Sequence, residues 1–147
     1  MEKSIQSNST NETQRIAKEL AAAVLESPQR TGAFVLALQG ELGSGKTTFA
    51  QGFAKGFGIK DKILSPTFLI VKKYEIRNTR YFYHIDCYRL KAPKELLQLD
   101  WKEIVADPKN IVLVEWADRV RRVVPNDALW ISFSHRGTEK RTVRFGL

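Results

Sequence analysis

The sequence predicts a three-layer α/β domain built on a mixed sheet of parallel and antiparallel strands. Two uninterrupted apolar runs of strand length, residues 33–38 and 111–114, read as strands buried on both faces. Segments 10–26 and 46–57 carry their apolar residues at helical spacing, so strands and helices alternate in the first part of the chain. Segments 68–87 and 129–145 each hold two β-prone stretches around a turn, the pattern of antiparallel hairpins. Buried strands alternating with helices, followed by hairpins, give a mixed sheet covered on both faces. The order of the strands is not readable from these patterns.

Taken in order, residues 1–10 are polar and carry no periodic signal. Residues 10–26 form an amphipathic helix with Thr13, Ile16, Ala17, Leu20, Ala23 and Val24 near one face. Ser9, Thr10 or Asn11 can cap its start, and Pro28 ends it. After the 33–38 strand comes a glycine-rich turn, then a helix with Phe49, Ala50, Phe53, Ala54 and Phe57 on its inner side, stopped by Gly56 and Gly58. Proline disfavours a helical Ser65, so Ser65-Pro66-Thr67 reads as an extended loop. A hairpin over 68–87 follows, turning at 77–80. Short helices are expected at 93–99 and 101–106, with Pro93 near N1 and Asp100 as a cap. The 111–115 strand, one more helix at 117–122 and a hairpin through Gly137 complete the chain.

The turn itself, Gly40-Glu41-Leu42-Gly43-Ser44-Gly45-Lys46-Thr47, fits the phosphate-binding pattern G-x-x-x-x-G-K-[ST]. With glycine at ~7% of residues, a chain of this length meets that pattern by chance about once in 200. The flanking strand and helix lower that further. Gly43, Ser44 and Gly45 let the backbone curl so that N–H groups and the helix N-terminus converge on phosphate oxygens. Lys46 is then the contact to the β and γ phosphates, Thr47 the hydroxyl ligand of Mg²⁺, and Thr48 a contact to the α phosphate. The plainer reading is a glycine turn capped by Thr47 with Lys46 in solvent. The fold class sharpens to that of a P-loop NTPase.

Phosphate-loop chemistry also needs an acidic group at the end of a neighbouring strand. Glu115 follows four apolar residues and would stand at the C-terminal edge of a central strand, where ligands of open α/β sheets collect. It is the candidate metal ligand. Asp86 ends a second strand in the same way and is the candidate hydrolytic carboxylate. Each has a bland alternative, a strand-end ion pair of Asp86 with Arg89 or Glu115 with Arg119, though surface pairs of that kind contribute little. Thr67 lies where a nucleotide-sensing switch would lie, and its alternative is a hydroxyl cap on the next strand. His84 reads first as a hydrogen-bonded structural residue, and Trp116 either walls the site or packs.

Composition sets the remaining bounds. The 147 residues, 43% hydrophobic, suffice for one domain with a real core. No run approaches the ~18 apolar residues of a membrane span, and residues 1–10 do not resemble a secretory leader, so a cytoplasmic protein is expected. Cys87 alone makes no internal disulfide, which agrees with a reducing compartment. A net charge of +8 suggests RNA, an acidic protein surface or the nucleotide as partner, without choosing among them.

With the loop, Ser65-Pro66-Thr67-Phe68, the stretch His84-Ile85-Asp86-Cys87-Tyr88-Arg89-Leu90 and Val114-Glu115-Trp116-Ala117 in this order, the chain resembles the TsaE family over nearly its whole length. That family comprises bacterial ATPases of tRNA threonylcarbamoyladenosine biosynthesis. Ser44 stands where the family usually has alanine, Cys87 where an apolar residue is usual, Asp118 where glutamate is common and Asp100 near a usual glycine. None of these removes a charged or hydroxyl group from the proposed site.

The resemblance implies ATP/ADP and Mg²⁺ as cofactors, held by Gly43, Ser44, Gly45, Lys46, Thr47 and Thr48, with Glu115 sharing the metal. It implies Asp86 supporting hydrolysis, Thr67 as the switch and Thr10 as a further nucleotide contact. The implied partners are TsaD-like and TsaB-like subunits that modify adenosine 37 of ANN-decoding tRNAs, with contact to tRNA itself indirect. Two other classes remain open: a small-metabolite or nucleoside kinase, although no arginine-rich lid is evident, and a non-catalytic nucleotide-gated binding module. A GTPase is disfavoured by the lack of an N-K-x-D motif.

Overall fold

The structure, a computed structural model, describes residues 3–28, 30–61, 63, 71–77, 80–137 and 140–146. Among these, seven strands form one mixed sheet in the order β1-β7-β6-β2-β5-β4-β3. The strands are β1 (Lys3–Ser7), β2 (Phe34–Gly40), β3 (Val71–Ile76), β4 (Arg80–Asp86), β5 (Asn110–Glu115), β6 (Leu129–Arg136) and β7 (Lys140–Gly146). β2 runs parallel to both β5 and β6, and β4 is parallel to β5. The antiparallel pairs are β3–β4, β6–β7 and β1–β7. Among the described residues the strand pairs of both expected hairpins are therefore present, flanking a parallel centre, while residues 64–70 of the expected loop and strand lie outside the described residues.

Helix α1 (Thr10–Glu26) and helix α2 (Lys46–Gly56) cover one face. Their Ile16, Ala17, Phe49 and Phe53 pack with Leu36, Leu38, Leu113 and Phe82. The other face carries α3 (Lys94–Leu97), α4 (Trp101–Ala106) and a 3₁₀ helix, Ala117–Val123. There Leu96, Trp101, Ile104 and Val120 pack with Val35, Ala37, Ile85, Val112 and Val114. Alternate residues of β2 and β5 thus enter different cores, which is why neither strand shows a polar face.

α1 spans the expected residues, and the cap is Ser9, whose hydroxyl accepts from Glu12 N at 3.1 Å. Two local expectations need correction. β1 was not anticipated: it is largely polar and exposed, and it forms by backbone pairing along β7. Pro93, expected near N1, stands next to it as the N-cap of α3 with a helical backbone, φ −57°. Asp100 precedes α4 with a left-handed backbone, φ 60°, and its side chain makes no cap hydrogen bond. The aspartate there serves a turn in the region more often taken by glycine or asparagine. No described helix is long and apolar enough to cross a membrane.

The two helices of the first layer meet closely because Gly52 has no side chain. A Cβ built there would lie 2.5 Å from Gln14 O and 2.6 Å from Gln14 Cα. Gly52→Ala must therefore push α1 away from α2 and should lower stability by about 1–3 kcal/mol, the cost of overpacking. A helical alanine would otherwise raise it by about 1 kcal/mol. Thermal or urea denaturation distinguishes the two signs.

Candidate functional site

Because β2, β4 and β5 are mutually parallel through β5, their C-terminal ends fall at one edge of the sheet. That edge carries Gly40, Asp86 and Glu115, and register places Asp86 directly beside Glu115. The glycine loop leaves β2 here and turns into α2. Its last residue, Gly45, is the N-cap of α2 with φ 109°, a conformation costly for any residue with a Cβ. Gly45 has no side chain with which to cap this helix. Its first-turn N–H groups are left for an incoming acceptor, and the helix dipole favours that acceptor being an anion.

The strand, the curled loop and the helix start are joined by side chains from distant segments. A cleft of about 170 Å³ is lined by Leu42, Gly43, Gly45, Lys46, Thr47, Thr48, Glu115, Trp116 and Arg141. Lys46 is not in solvent: it is 4% exposed, and its ammonium donates to Gly40 O at 2.6 Å, Glu41 O at 2.8 Å and Ser44 Oγ at 3.3 Å. It also sits 4.0 Å from the centre of the Trp116 ring. Burial lowers the Lys46 pKa from its usual value, while Glu115, Asp118, Asp86 and Glu41 act to raise it. A cation turned onto neutral carbonyls is weakly matched, so a polyanion would be a better acceptor.

Thr47 lines the same cleft, and its hydroxyl donates to Glu115 Oε1 at 2.9 Å. The second oxygen of Glu115 is 2.5 Å from His84 Nε2. Glu115 is only 2% exposed and His84 fully buried. The anticipated alternative, a pair of Glu115 with Arg119, is not what the described residues form. Arg119 instead lies over the rings of Tyr88 and Trp116, at 5.1 and 5.4 Å, and those rings are 5.0 Å apart. Asp86 is 7% exposed and accepts from Tyr88 N at 2.9 Å.

Trp116 holds its position with φ 57°, one of two non-glycine residues with positive φ among those described. Such a backbone costs of order 1–3 kcal/mol and persists where the surroundings hold it. Here it carries the chain from the end of β5 into the 3₁₀ helix and leaves the indole over Lys46.

The candidate residues are thus mostly brought together. Gly43, Gly45, Lys46, Thr47, Thr48 and Glu115 line the cleft, Ser44 bonds Lys46 beneath it, and Asp86 lies beside Glu115. Thr10 is exposed at the first position of α1 and is not among the cleft's described lining. Thr67 lies outside the described residues. Arg141 had no site role assigned from sequence, and His84, read from sequence as a hydrogen-bonded structural residue, makes its hydrogen bond to Glu115. Arg141 reaches the cleft because β7 follows β6 beside β2, and a Cβ on Gly45 would lie 3.5 Å from its Nε. His84 could have been found from strand alternation, since it shares a face with Asp86 two residues on. Cys87, by contrast, is buried away from this chemistry, and burial raises its pKa to about 12, so it is an inert thiol.

The chain is similar to proteins of one family. The family model described as threonylcarbamoyl adenosine biosynthesis protein TsaE matches residues 7–143. A Bacillus subtilis protein named tRNA threonylcarbamoyladenosine biosynthesis protein TsaE is 40% identical over 111 residues, covering 76% of this chain and 68% of its own. A protein of the same name from Rickettsia bellii is 34% identical over 137 residues, covering 91% and 88%. The crystal structure of Bacillus subtilis YdiB superposes with a TM-score of 0.75 at 32% identity, over 99% of this chain and 84% of that one.

Proposed function

The chain belongs to the TsaE family of threonylcarbamoyl adenosine biosynthesis proteins, and from that membership we propose that it is a Mg²⁺-dependent ATPase acting as an accessory to tRNA modification. The observation that carries this reading is the hydrogen bond from Thr47 to Glu115, which joins the start of α2 to the end of β5 across the cleft. A hydroxyl and a carboxylate so placed are hard oxygen donors suited to Mg²⁺. Among the described residues no cluster of three or more His, Cys, Asp or Glu offers an all-protein metal cage. That fits an ion which takes one or two protein ligands and completes its shell with phosphate and water.

In this reading the backbone of residues 43–48 cradles the phosphates, and Lys46 exchanges the Gly40 and Glu41 carbonyls for phosphate oxygens. Arg141, in the lining of the cleft, adds positive charge. Bound Mg²⁺ would supply neutralisation of phosphate charge. Asp86, beside Glu115, orients or deprotonates the attacking water. The cleft is smaller than the roughly 300–1,000 Å³ of sites that enclose whole drug-sized ligands, which suits capture of a phosphate chain.

The output is conformational: hydrolysis resets a complex of TsaD-like and TsaB-like subunits, and the chemistry on adenosine 37 of the tRNA belongs to those partners. The test is free-phosphate release from ATP, measured with and without them. Stimulation by the partners is expected. A phosphorylated metabolite in place of free phosphate would make the protein a kinase, and unchanged turnover would remove the accessory role.

A further inference from the structure

We infer that His84 is a positioning residue that fixes the Glu115 carboxylate for the metal side of the site, an inference that rests on the Mg²⁺–nucleotide reading above. Glu115 has two oxygens and both are committed: Oε1 accepts from Thr47 Oγ1 at 2.9 Å, and Oε2 meets His84 Nε2 at 2.5 Å. A carboxylate 2% exposed is costly to bury unless its lone pairs are satisfied. Without His84, Glu115 keeps one partner on a half-buried threonine and is free to rotate about its terminal torsion.

The sheet explains why His84 is the residue that reaches. On β4, His84 pairs in register with Leu113 and Asp86 with Glu115. Side chains two apart share a face, so His84, Asp86 and Glu115 project together toward the α2 side. His84 therefore approaches Glu115 diagonally from one residue pair below, leaving the top of the carboxylate for the cleft. Its own plane is set by Phe82, whose ring stacks at 6.5 Å with 7° between planes. Because a carboxylate only accepts, Nε2 carries the proton in this contact. Among the described residues Nδ1 has no hydrogen-bond partner, so the ring's polar function is directed at Glu115.

A histidine that merely packed the core would be replaceable by an apolar residue of similar size. One that orients a ligand is not, since second-sphere partners of metal ligands typically contribute about 10–100-fold in metal affinity. The two roles separate in a titration of ADP with and without Mg²⁺, on the full chain, for the wild type, His84→Leu, His84→Gln and His84→Asn. Glutamine places an N–H donor near the position of Nε2, whereas asparagine is too short. The expected result is that His84→Leu loses about tenfold of the affinity gained from Mg²⁺ and changes metal-free ADP binding by less than about threefold. His84→Gln should recover most of that gain.

A His84→Leu protein that folds and keeps the full Mg²⁺ gain overturns the inference. If leucine prevents folding, the pair of amides decides: His84→Asn matching His84→Gln overturns it, and His84→Gln alone recovering the gain supports it. A wild type in which Mg²⁺ adds nothing to nucleotide binding overturns the underlying site reading and this inference with it.

Discussion

Lys46→Ala is expected to reduce ATP affinity at least about 100-fold and to bring phosphate release to background, while leaving the fold intact. The size follows from what Lys46 does. It is the buried cation at the centre of the cleft, 4% exposed, with its charge held over the Trp116 ring. Charge-assisted hydrogen bonds to phosphate contribute roughly 1.5–3 kcal/mol each, and two of them account for about a 100-fold loss or more. Removal costs the free protein less. The partners left behind, Gly40 O and Glu41 O, are neutral carbonyls at a cleft that water enters, so a stability loss of about 1–2 kcal/mol is expected. Calorimetric titration of ATP checks the first number and thermal denaturation the second. Lys46→Arg should not rescue binding, because the planar guanidinium does not fit among the three oxygens that the ammonium now contacts.

Much of this site was readable in the sequence because its parts obey local rules. The loop pattern identifies Lys46 and Thr47, and the apolar run 111–114 identifies Glu115 as a strand-end carboxylate whatever the strand order. The span of α1 was legible because a 17-residue amphipathic helix is encoded within one window, although Ser9 was one of three candidate caps and the inner face holds Ala21 in place of Ala23. What escaped depends on pairing between distant segments. β1 is a strand only because β7 offers it an edge, and its residues carry no alternation that would announce it. Arg141 reaches the loop only because β6 lies parallel to β2 and folds back into β7. The left-handed turn at Trp116 escaped for a different reason: backbone conformation there is imposed by a joint of the fold and runs against residue preference.

The two carboxylates should separate into different functions when each is replaced by its amide. Asp86→Asn keeps shape and keeps an oxygen for Tyr88 N, but removes the group able to take a proton from water. General-base contributions are typically 10²–10⁴-fold, so kcat should fall by about 100-fold or more with ATP affinity within about threefold. Glu115→Gln should behave otherwise. It removes the charge that faces Thr47 and turns an amide N–H or a weaker acceptor toward His84 Nε2, leaving a buried donor poorly matched. Mg²⁺ dependence of nucleotide binding should then be lost and stability should drop by about 1–3 kcal/mol. Asp86→Asn lies one strand away and should show neither effect. Measuring kcat, nucleotide affinity with and without Mg²⁺, and the melting temperature on both variants decides the assignment. Phosphate release surviving in Asp86→Asn but lost in Glu115→Gln, at saturating Mg²⁺ and ATP, would move the hydrolytic role to Glu115 and leave Asp86 as a partner of the Tyr88 turn.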